Sequence, residues 1–299
     1  MPLRVTSLLE TAVAAVERAE VLDPVASAVA PLLRKLAPTG PVKDALSGTW
    51  LGHPLHPVLV AIPLGSWIGT LWLDLTGGGA ARAAATRLLG FGNLAAVPAS
   101  LTGASDWVDT EGAERRVGLV HAGLNYTSLA CYVGSWVARR RGEQGKGVAL
   151  ALLGAVTVSA SGYLGGHLAY AQGVGVDTTA FEQLPQGWTD AAGGAEIVAG
   201  ALTRADVAGV PVLLTRVDGR VIALADRCTH RGAPLHEGTI EDGCVVCPWH
   251  ASRFALADGR VDRGPATRPQ PAFETRVVEH RVQVRHVDAR ALRTNPVGG

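Results

Sequence analysis

The chain has 299 residues, enough for about two domains, and its formal net charge is only +1, which argues against a nucleic-acid partner. Hydrophobic residues make up 47% of the chain and charged residues 18%. Most of the apolar excess lies before residue 177, so the composition favours a membrane-associated N-terminal part and a water-soluble C-terminal part.

Residues 1–46 contain two short stretches with apolar residues along one helix face, each ended by proline. Acidic residues interrupt the apolar runs, which excludes a secretory signal. The sequence predicts an amphipathic helical arm over residues 1–46.

Four long stretches without Lys, Arg, Asp or Glu follow the arm: Ala45–Leu73, Leu88–Ser105, Val117–Ala138 and Gly147–Val176. A helix needs about 20 mostly apolar residues to cross a bilayer. Buried helices of a soluble bundle would each show a polar face, and these do not. We therefore predict a multi-pass membrane protein with a four-helix transmembrane domain over residues 47–176.

Four crossings place the arm and everything after residue 176 on one side of the membrane. His53, His56, His121 and His167 all map to that face of the bilayer. Histidine within a span is usually functional. These residues could ligate haem b or another metal, shape a quinone pocket, or serve only as structural polar groups. Their spacing does not choose between these roles.

The residue pattern of the sequence changes after a predicted linker over residues 177–190. Short runs of β-forming residues are separated by turn signals such as Asp218-Gly219 and Asp258-Gly259. The sequence predicts a small all-β domain over residues 191–288 and a tail over 289–299. The predicted fold class is α+β multidomain, with an N-terminal four-helix transmembrane bundle followed by a small all-β domain.

The β domain carries a paired metal-ligand motif: Cys228-Thr229-His230 and Cys247-Pro248-Trp249-His250, with sixteen residues between His230 and Cys247. Two Cys and two His in short pairs can close one tetrahedral metal site or hold two irons. The C-x-H and C-x-x-H spacings are unusual for zinc. In a two-iron cluster each loop would supply one thiolate and one imidazole, and the residues around the motif decide between the two kinds of site.

These loops, with Gly232-Ala233-Pro234 and Phe254 beside them, resemble the Rieske family and are most similar to its ferredoxin-type members. The resemblance implies a [2Fe–2S] cluster, with Cys228 and Cys247 on one iron and His230 and His250 on the other. Gly264-Pro265-Ala266 resembles the proline loop that covers the cluster in this family.

Three positions depart from the respiratory members of the family. Ala233 and Trp249 stand where those proteins have a disulfide, and Phe254 stands where they have Tyr. Fewer hydrogen bonds to the cluster sulfurs imply a reduction potential in the lower half of the range of about −150 to +300 mV. Ala251 replaces the Gly that is usual in the second loop.

The N-terminal part resembles a second family, a bacterial four-helix membrane domain of unknown function. The resemblance covers about residues 45–180 and rests on stretches such as Gly52–His56 and Gly162–Tyr170. It implies a membrane location and the number of helices, but no chemistry.

We expect a membrane-anchored electron-transfer protein rather than a stand-alone enzyme. It would pass single electrons between a redox enzyme or reductase and the membrane quinone pool or another carrier. The alternatives are a haem- or quinone-binding oxidoreductase subunit and the ferredoxin component of an oxygenase system. The basic residues of the loops are nearly balanced across the membrane, and we expect the β domain on the cytoplasmic side.

Overall fold

The computed structural model describes residues 4–287, with side chains from residue 8 onward, so the predicted tail over 289–299 lies outside the described residues. Seven α-helices precede an all-β domain within this range. The chain divides into two compact units. The helical unit holds residues up to 37 and residues 55–174, and the β unit holds residues 38–54 and those from 175 onward.

The helical unit contains two short helices and four long ones. These are α1 (Arg4–Glu17), α2 (Asp23–Leu36), α4 (His56–Thr76), α5 (Arg82–Trp107), α6 (Gly112–Arg140) and α7 (Gln144–Tyr170), whereas α3 (Pro41–Ser47) belongs to the β unit. The first long helix starts eleven residues later than predicted, because the chain takes left-handed conformations at Gly48 (φ 84°) and Gly52 (φ 73°).

The long helices have an apolar exterior and a small, partly polar interior. Large side chains such as Leu94 (74% exposed) and Val156 (68%) face outward, while Ser128 and Ser161 are fully buried. Small and hydroxyl residues at helix contacts are typical of packing in lipid. By length and composition, α4 and α7 can each cross a membrane. The more polar α5 and α6 do not pass that test, so two helices are candidate spans and the predicted count of four is not confirmed.

The arm predicted over residues 1–46 is docked rather than extended. Val13 of α1 is buried against Val117 of α6 and Leu164 of α7. Arg116 of α6 binds both carboxylate oxygens of Asp23, at 2.7 and 2.6 Å. The first two helices therefore belong to the core of the helical unit.

Two helix hairpins, α4–α5 and α6–α7, repeat one pattern. Nδ1 of His56 donates to the Ala99 carbonyl of α5 at 2.9 Å, and Nδ1 of His121 donates to the Ser161 carbonyl of α7 at 2.8 Å. One turn further along, each ring lies over a glycine, Gly103 in α5 and Gly165 in α7. The four helices thus form two equivalent halves.

Residues 65 positions apart in α4 and α6 are equivalent in these halves, and two such pairs touch. Trp67 stacks on Tyr132 with ring centroids 4.2 Å apart, and Asp74 forms a bidentate ion pair with Arg139 at 2.7 and 2.5 Å. In a two-fold arrangement, equivalent residues meet only near the axis. These two contacts therefore mark an approximate two-fold axis, as in membrane proteins built from parallel repeats.

The β unit contains two antiparallel sheets. The six-stranded sheet has the order β1-β10-β9-β4-β3-β2, and the four-stranded sheet has the order β5-β6-β7-β8. The strands are β1 (Thr189–Gly193), β2 (Thr203–Val207), β3 (Val210–Val217), β4 (Arg220–Ala225), β5 (Thr239–Glu241), β6 (Cys244–Val246), β7 (Arg253–Ala255), β8 (Val261–Arg263), β9 (Ala272–Val278) and β10 (Arg281–Val287).

The boundaries of this unit differ from those predicted. The first strand starts at Thr189, inside the predicted linker, and Thr178 of that linker donates to the Cys228 carbonyl at 2.8 Å. Residues 38–54, predicted to be shared between the arm and the transmembrane domain, pack with the β unit instead. The physical reason is a pair of hydrogen bonds to the loop after β8: Gly264 N–H donates to Asp44 Oδ1 at 2.8 Å, and Thr49 Oγ1 donates to the Ala266 carbonyl at 3.2 Å.

Candidate metal centre

The four predicted ligands converge on two loops of the β unit. Cys228 and His230 lie in the first loop, between β4 and β5, and Cys247 and His250 lie in the second, between β6 and β7. Both cysteines are buried, and their thiols are hydrogen-bonded to each other. The two imidazole rings meet edge to face, with centroids 5.0 Å apart. The structure thus brings two sulfur and two nitrogen donors together.

Backbone hydrogen bonds shape each loop around its cysteine. Gly232 N–H donates to the Cys228 carbonyl at 2.8 Å, and Ala251 N–H donates to the Cys247 carbonyl at 3.1 Å. The N–H groups of His230 and Arg231 point at the Cys228 sulfur, and those of Trp249 and His250 point at the Cys247 sulfur. Donors aimed at sulfur stabilise negative charge there, which suits a bound metal cluster.

The electrostatics of the site favour the protonation states that metal ligands need at Cys247 and His230, but not at Cys228. The Cys228 hydrogen bond, followed by the backbone N–H groups, lowers the pKa of Cys247 to about 7. The pKa of Cys228 is raised, first by its hydrogen bond to Cys247 and then by burial. Burial, then His250 and then Lys43, lowers the pKa of His230. The lowered pKa values of His230 and Cys247 favour a neutral imidazole and a thiolate, which fit a transition-metal centre.

A buried glutamine clamps the first loop and was not anticipated from the sequence. Nε2 of Gln270 donates to the carbonyls of Ala225 and Arg227 at 2.7 and 2.6 Å, and its Oε1 accepts from Thr229 N–H at 3.2 Å. Gln270 is 1% exposed. No spacing in the sequence links it to the ligands, because it reaches the loop from the segment before β9.

His236 also has a role that its loop position did not reveal. Its Nδ1 donates to Asp226 Oδ2 at 2.6 Å, and its N–H donates to Asp226 Oδ1 at 2.8 Å. Asp226 is 3% exposed and directly follows β4. The pair joins the two ends of the first ligand loop.

The second loop contains backbone strain where Ala251 replaces the expected Gly. Ala251 has φ 58°, in the left-handed region that L-residues other than Asn and Asp rarely adopt. The next residue, Ser252, is fully buried, and its Oγ accepts from Ala266 N–H at 3.0 Å. This bond ties the second ligand loop to the segment Gly264-Pro265-Ala266, which we call the proline loop.

The membrane histidines do not form one cluster. His53 is exposed in the loop before α4 and belongs to the β unit. In the helical unit, His167 Nε2 bonds to Glu17 at 2.9 Å. His121 uses both ring nitrogens, because its Nε2 accepts from Asn125 at 3.0 Å. His56 lies close enough to His121 for electrostatic interaction. These hydrogen bonds give His121 and His167 structural partners.

By donor type, two Cys and two His on these loops fit an iron–sulfur cluster or a single-ion site, although the described residues contain no group of three or more His, Cys, Asp or Glu placed to hold one metal ion. Comparisons with known proteins choose between the two. The model of the Rieske [2Fe-2S] domain matches residues 187–276, and that of a predicted membrane protein family, DUF2231, matches residues 52–178. The chain therefore belongs to the Rieske family, and this domain implies a [2Fe–2S] cluster.

Ferredoxin components of oxygenase systems are among the relatives. The anthranilate 1,2-dioxygenase ferredoxin subunit of Burkholderia cepacia is 37% identical over 74 residues, which are 25% of this chain and 68% of that protein. Ferredoxin CarAc of Metapseudomonas resinovorans is 32% identical over 98 residues, 32% of this chain and 92% of that protein. The iron–sulfur subunit TsaM1 of the toluene-4-sulfonate monooxygenase system of Comamonas testosteroni is 47% identical over 68 residues but is matched over only 20% of its length.

Proposed function

We propose that this protein is a membrane-anchored Rieske electron carrier that passes single electrons to or from a redox enzyme. The convergence of Cys228, Cys247, His230 and His250 in one buried site carries the proposal. The similarity to ferredoxin components supports a carrier, because those proteins match over most of their length.

The proposed cluster would be held by the two Cys thiolates on one iron and the two His imidazoles on the other. When bound, it supplies a one-electron couple at a potential above that of all-Cys ferredoxins. The chain's own residues do the rest. Gln270 and Asp226 fix the first loop, Ser252 fixes the second, and the buried core beneath the cysteines excludes water.

The helical unit would fix this carrier to the membrane. The apolar exterior of the long helices supports insertion, and α4 and α7 are long enough to span. Membrane attachment makes the quinone pool one possible electron source, and the ferredoxin relatives make a soluble reductase or oxygenase the other. We favour the soluble redox enzyme, because relatives that carry a stated role are ferredoxins of oxygenase-type systems and match the C-terminal part of the chain.

Purified full-length protein tests the cluster assignment. We expect two irons and two acid-labile sulfides per chain and a Rieske-type EPR signal after reduction. Cys247→Ser should abolish the signal. Cys244→Ser is the matched control, because Cys244 is equally buried but lies in β6, three residues before the ligand. A wild-type protein without iron, or loss of the signal in both variants, would refute the assignment.

The electron source and the membrane side are tested separately. Membranes that contain the protein are mixed with a quinol analogue, or with NADH and a ferredoxin reductase, and the rate of cluster reduction is followed. Faster reduction by the reductase supports a soluble partner, and faster reduction by quinol contradicts it. We also propose a cytoplasmic β unit, which predicts that protease added to intact spheroplasts leaves it uncut.

A further inference from the structure

Residues 38–54, which we call the bracing segment, hold the proline loop of the β unit at both of its ends. Gly264 N–H donates to Asp44 Oδ1 at 2.8 Å. Thr49 Oγ1 donates to the Ala266 carbonyl at 3.2 Å. A Cβ at Gly264 would come within 2.9 Å of Asp44 Oδ1 and would overlap Thr49 Oγ1, so this close approach requires glycine. The bracing segment is therefore fitted to the proline loop as well as bonded to it.

The proline loop in turn fixes the second ligand loop. Ala266 N–H donates to Ser252 Oγ at 3.0 Å, and the Ser252 carbonyl accepts from Cys247 N–H at 2.8 Å. Arg263, directly before the proline loop, donates to the Ala251 carbonyl at 3.0 Å. Ala266 and Ser252 are fully buried, so water does not replace their hydrogen bond. A chain of hydrogen bonds thus runs from the bracing segment to the backbone of Cys247.

The second ligand loop depends on this support because it is strained. Ala251 has φ 58°, and an alanine in that region persists only where its surroundings hold it there. The side chain of Arg263 and the proline loop supply those surroundings. Residues 38–51, which include both anchoring side chains, lie outside the two family matches. The outer anchor of the loop therefore comes from a part of the chain that neither family match covers.

We propose that Asp44 and Thr49 are positioning residues for the cluster. They hold the proline loop against the second ligand loop and thereby fix Cys247 and His250. The inference rests on the proposed function. A metal site must keep its ligands within about 0.5 Å of one geometry, and the residues behind the ligands provide that precision. Without the two anchors, the proline loop would separate from Ser252, and water and chelators would reach the site.

Cluster loss from the purified full-length protein in the presence of an iron chelator tests the proposal, followed by the fall in visible absorbance. Asp44→Ala and Thr49→Val each remove one anchor. We expect each to speed cluster loss about tenfold, which is about 1.4 kcal/mol, the size of one hydrogen bond. The EPR g values of the reduced cluster should also shift, because the ligand geometry changes. Asp44→Asn keeps the acceptor and Thr49→Ser keeps the donor, so both should stay close to wild type.

A double-mutant cycle tests the route through the proline loop. Asp44→Ala should speed cluster loss less in a Ser252→Ala background than in wild type, because the link to the second ligand loop is already cut. Asp190→Ala is the matched control, because Asp190 also accepts hydrogen bonds, from Arg281 and Gln283, but lies in β1. It should match wild type.

Four results would overturn the proposal. They are wild-type loss rates in both Asp44→Ala and Thr49→Val, equal acceleration by Asp190→Ala, additive effects in the double-mutant cycle, and faster loss with unchanged g values, which would show that the anchors only stabilise the fold. If Asp44→Ala does not fold, Thr49→Val carries the test alone. Absence of any Rieske signal in wild type would refute the proposed function instead.

Discussion

Replacing Gln270 by Leu should destabilise the first ligand loop, which runs between β4 and β5. The substitution removes two donors and one acceptor, and leaves the carbonyls of Ala225 and Arg227 and the N–H of Thr229 without Gln270. A typical hydrogen bond contributes about 1 kcal/mol net, and a buried group left unsatisfied costs about 1–3 kcal/mol. The loss of three such hydrogen bonds should lower the free energy of unfolding by about 3 kcal/mol.

The loss is measurable by heating. For a domain of this size, about 1 kcal/mol corresponds to about 4–8 °C in Tm, so Gln270→Leu should lower the melting temperature by more than about 10 °C. The assay is the loss of the visible cluster absorbance of the full chain in detergent as temperature rises. Gln283→Leu is the control, because the side chain of Gln283 bonds only on the surface of β10. Equal shifts in the two variants would refute the reasoning.

Three further predictions concern strain and charge. Ala251→Gly should stabilise the protein by about 0.5–1 kcal/mol. A left-handed Ala costs about 1–2 kcal/mol, and the greater entropy of Gly in the unfolded chain offsets part of the gain from removing that strain. Thermal unfolding measures the effect, and the control Ala255→Gly in β7 should destabilise the protein. Arg139→Met should lower the free energy of unfolding by about 3–5 kcal/mol, because Asp74 stays buried without its partner, whereas the double variant Asp74→Leu/Arg139→Met should lose much less. Denaturation in detergent measures both variants. Additive losses of the two single changes would contradict the pairing. Burial raises the pKa of Glu182, although Arg227 opposes the shift, so the folded state holds a proton that the unfolded chain releases. Stability therefore falls as pH rises above about 4, and Glu182→Gln should be more stable than wild type at about pH 7 but not at about pH 3. The same stability difference between variant and wild type at both pH values would rule out the burial of this charge.

The β domain could be predicted, and the two Cys/His motifs could be recognised, because their signals are local. Each ligand pair spans three or four residues, and the strands are bounded by turn residues such as Asp218 and Gly219. Gln270 and the packing of residues 38–54 on the β unit were not predictable, because each depends on contacts with residues far away in the chain. Asp44, for example, bonds to Gly264 across 220 residues. Periodicity and spacing carry no information about contacts of that range.

The repeat in the helical unit was hidden for a different reason: its equivalent residues share a role but not an identity. Trp67 corresponds to Tyr132, Thr70 to Ser135 and Asp74 to Arg139, so a search for repeated letters finds little. At the axis this divergence has a physical advantage. In an exact two-fold homodimer the axial residue faces its own copy, and two Asp or two Arg would repel. Joining both hairpins in one chain allows Asp at one position and Arg at the other. The side chains of that pair are 4% and 0% exposed, which two like charges could not tolerate.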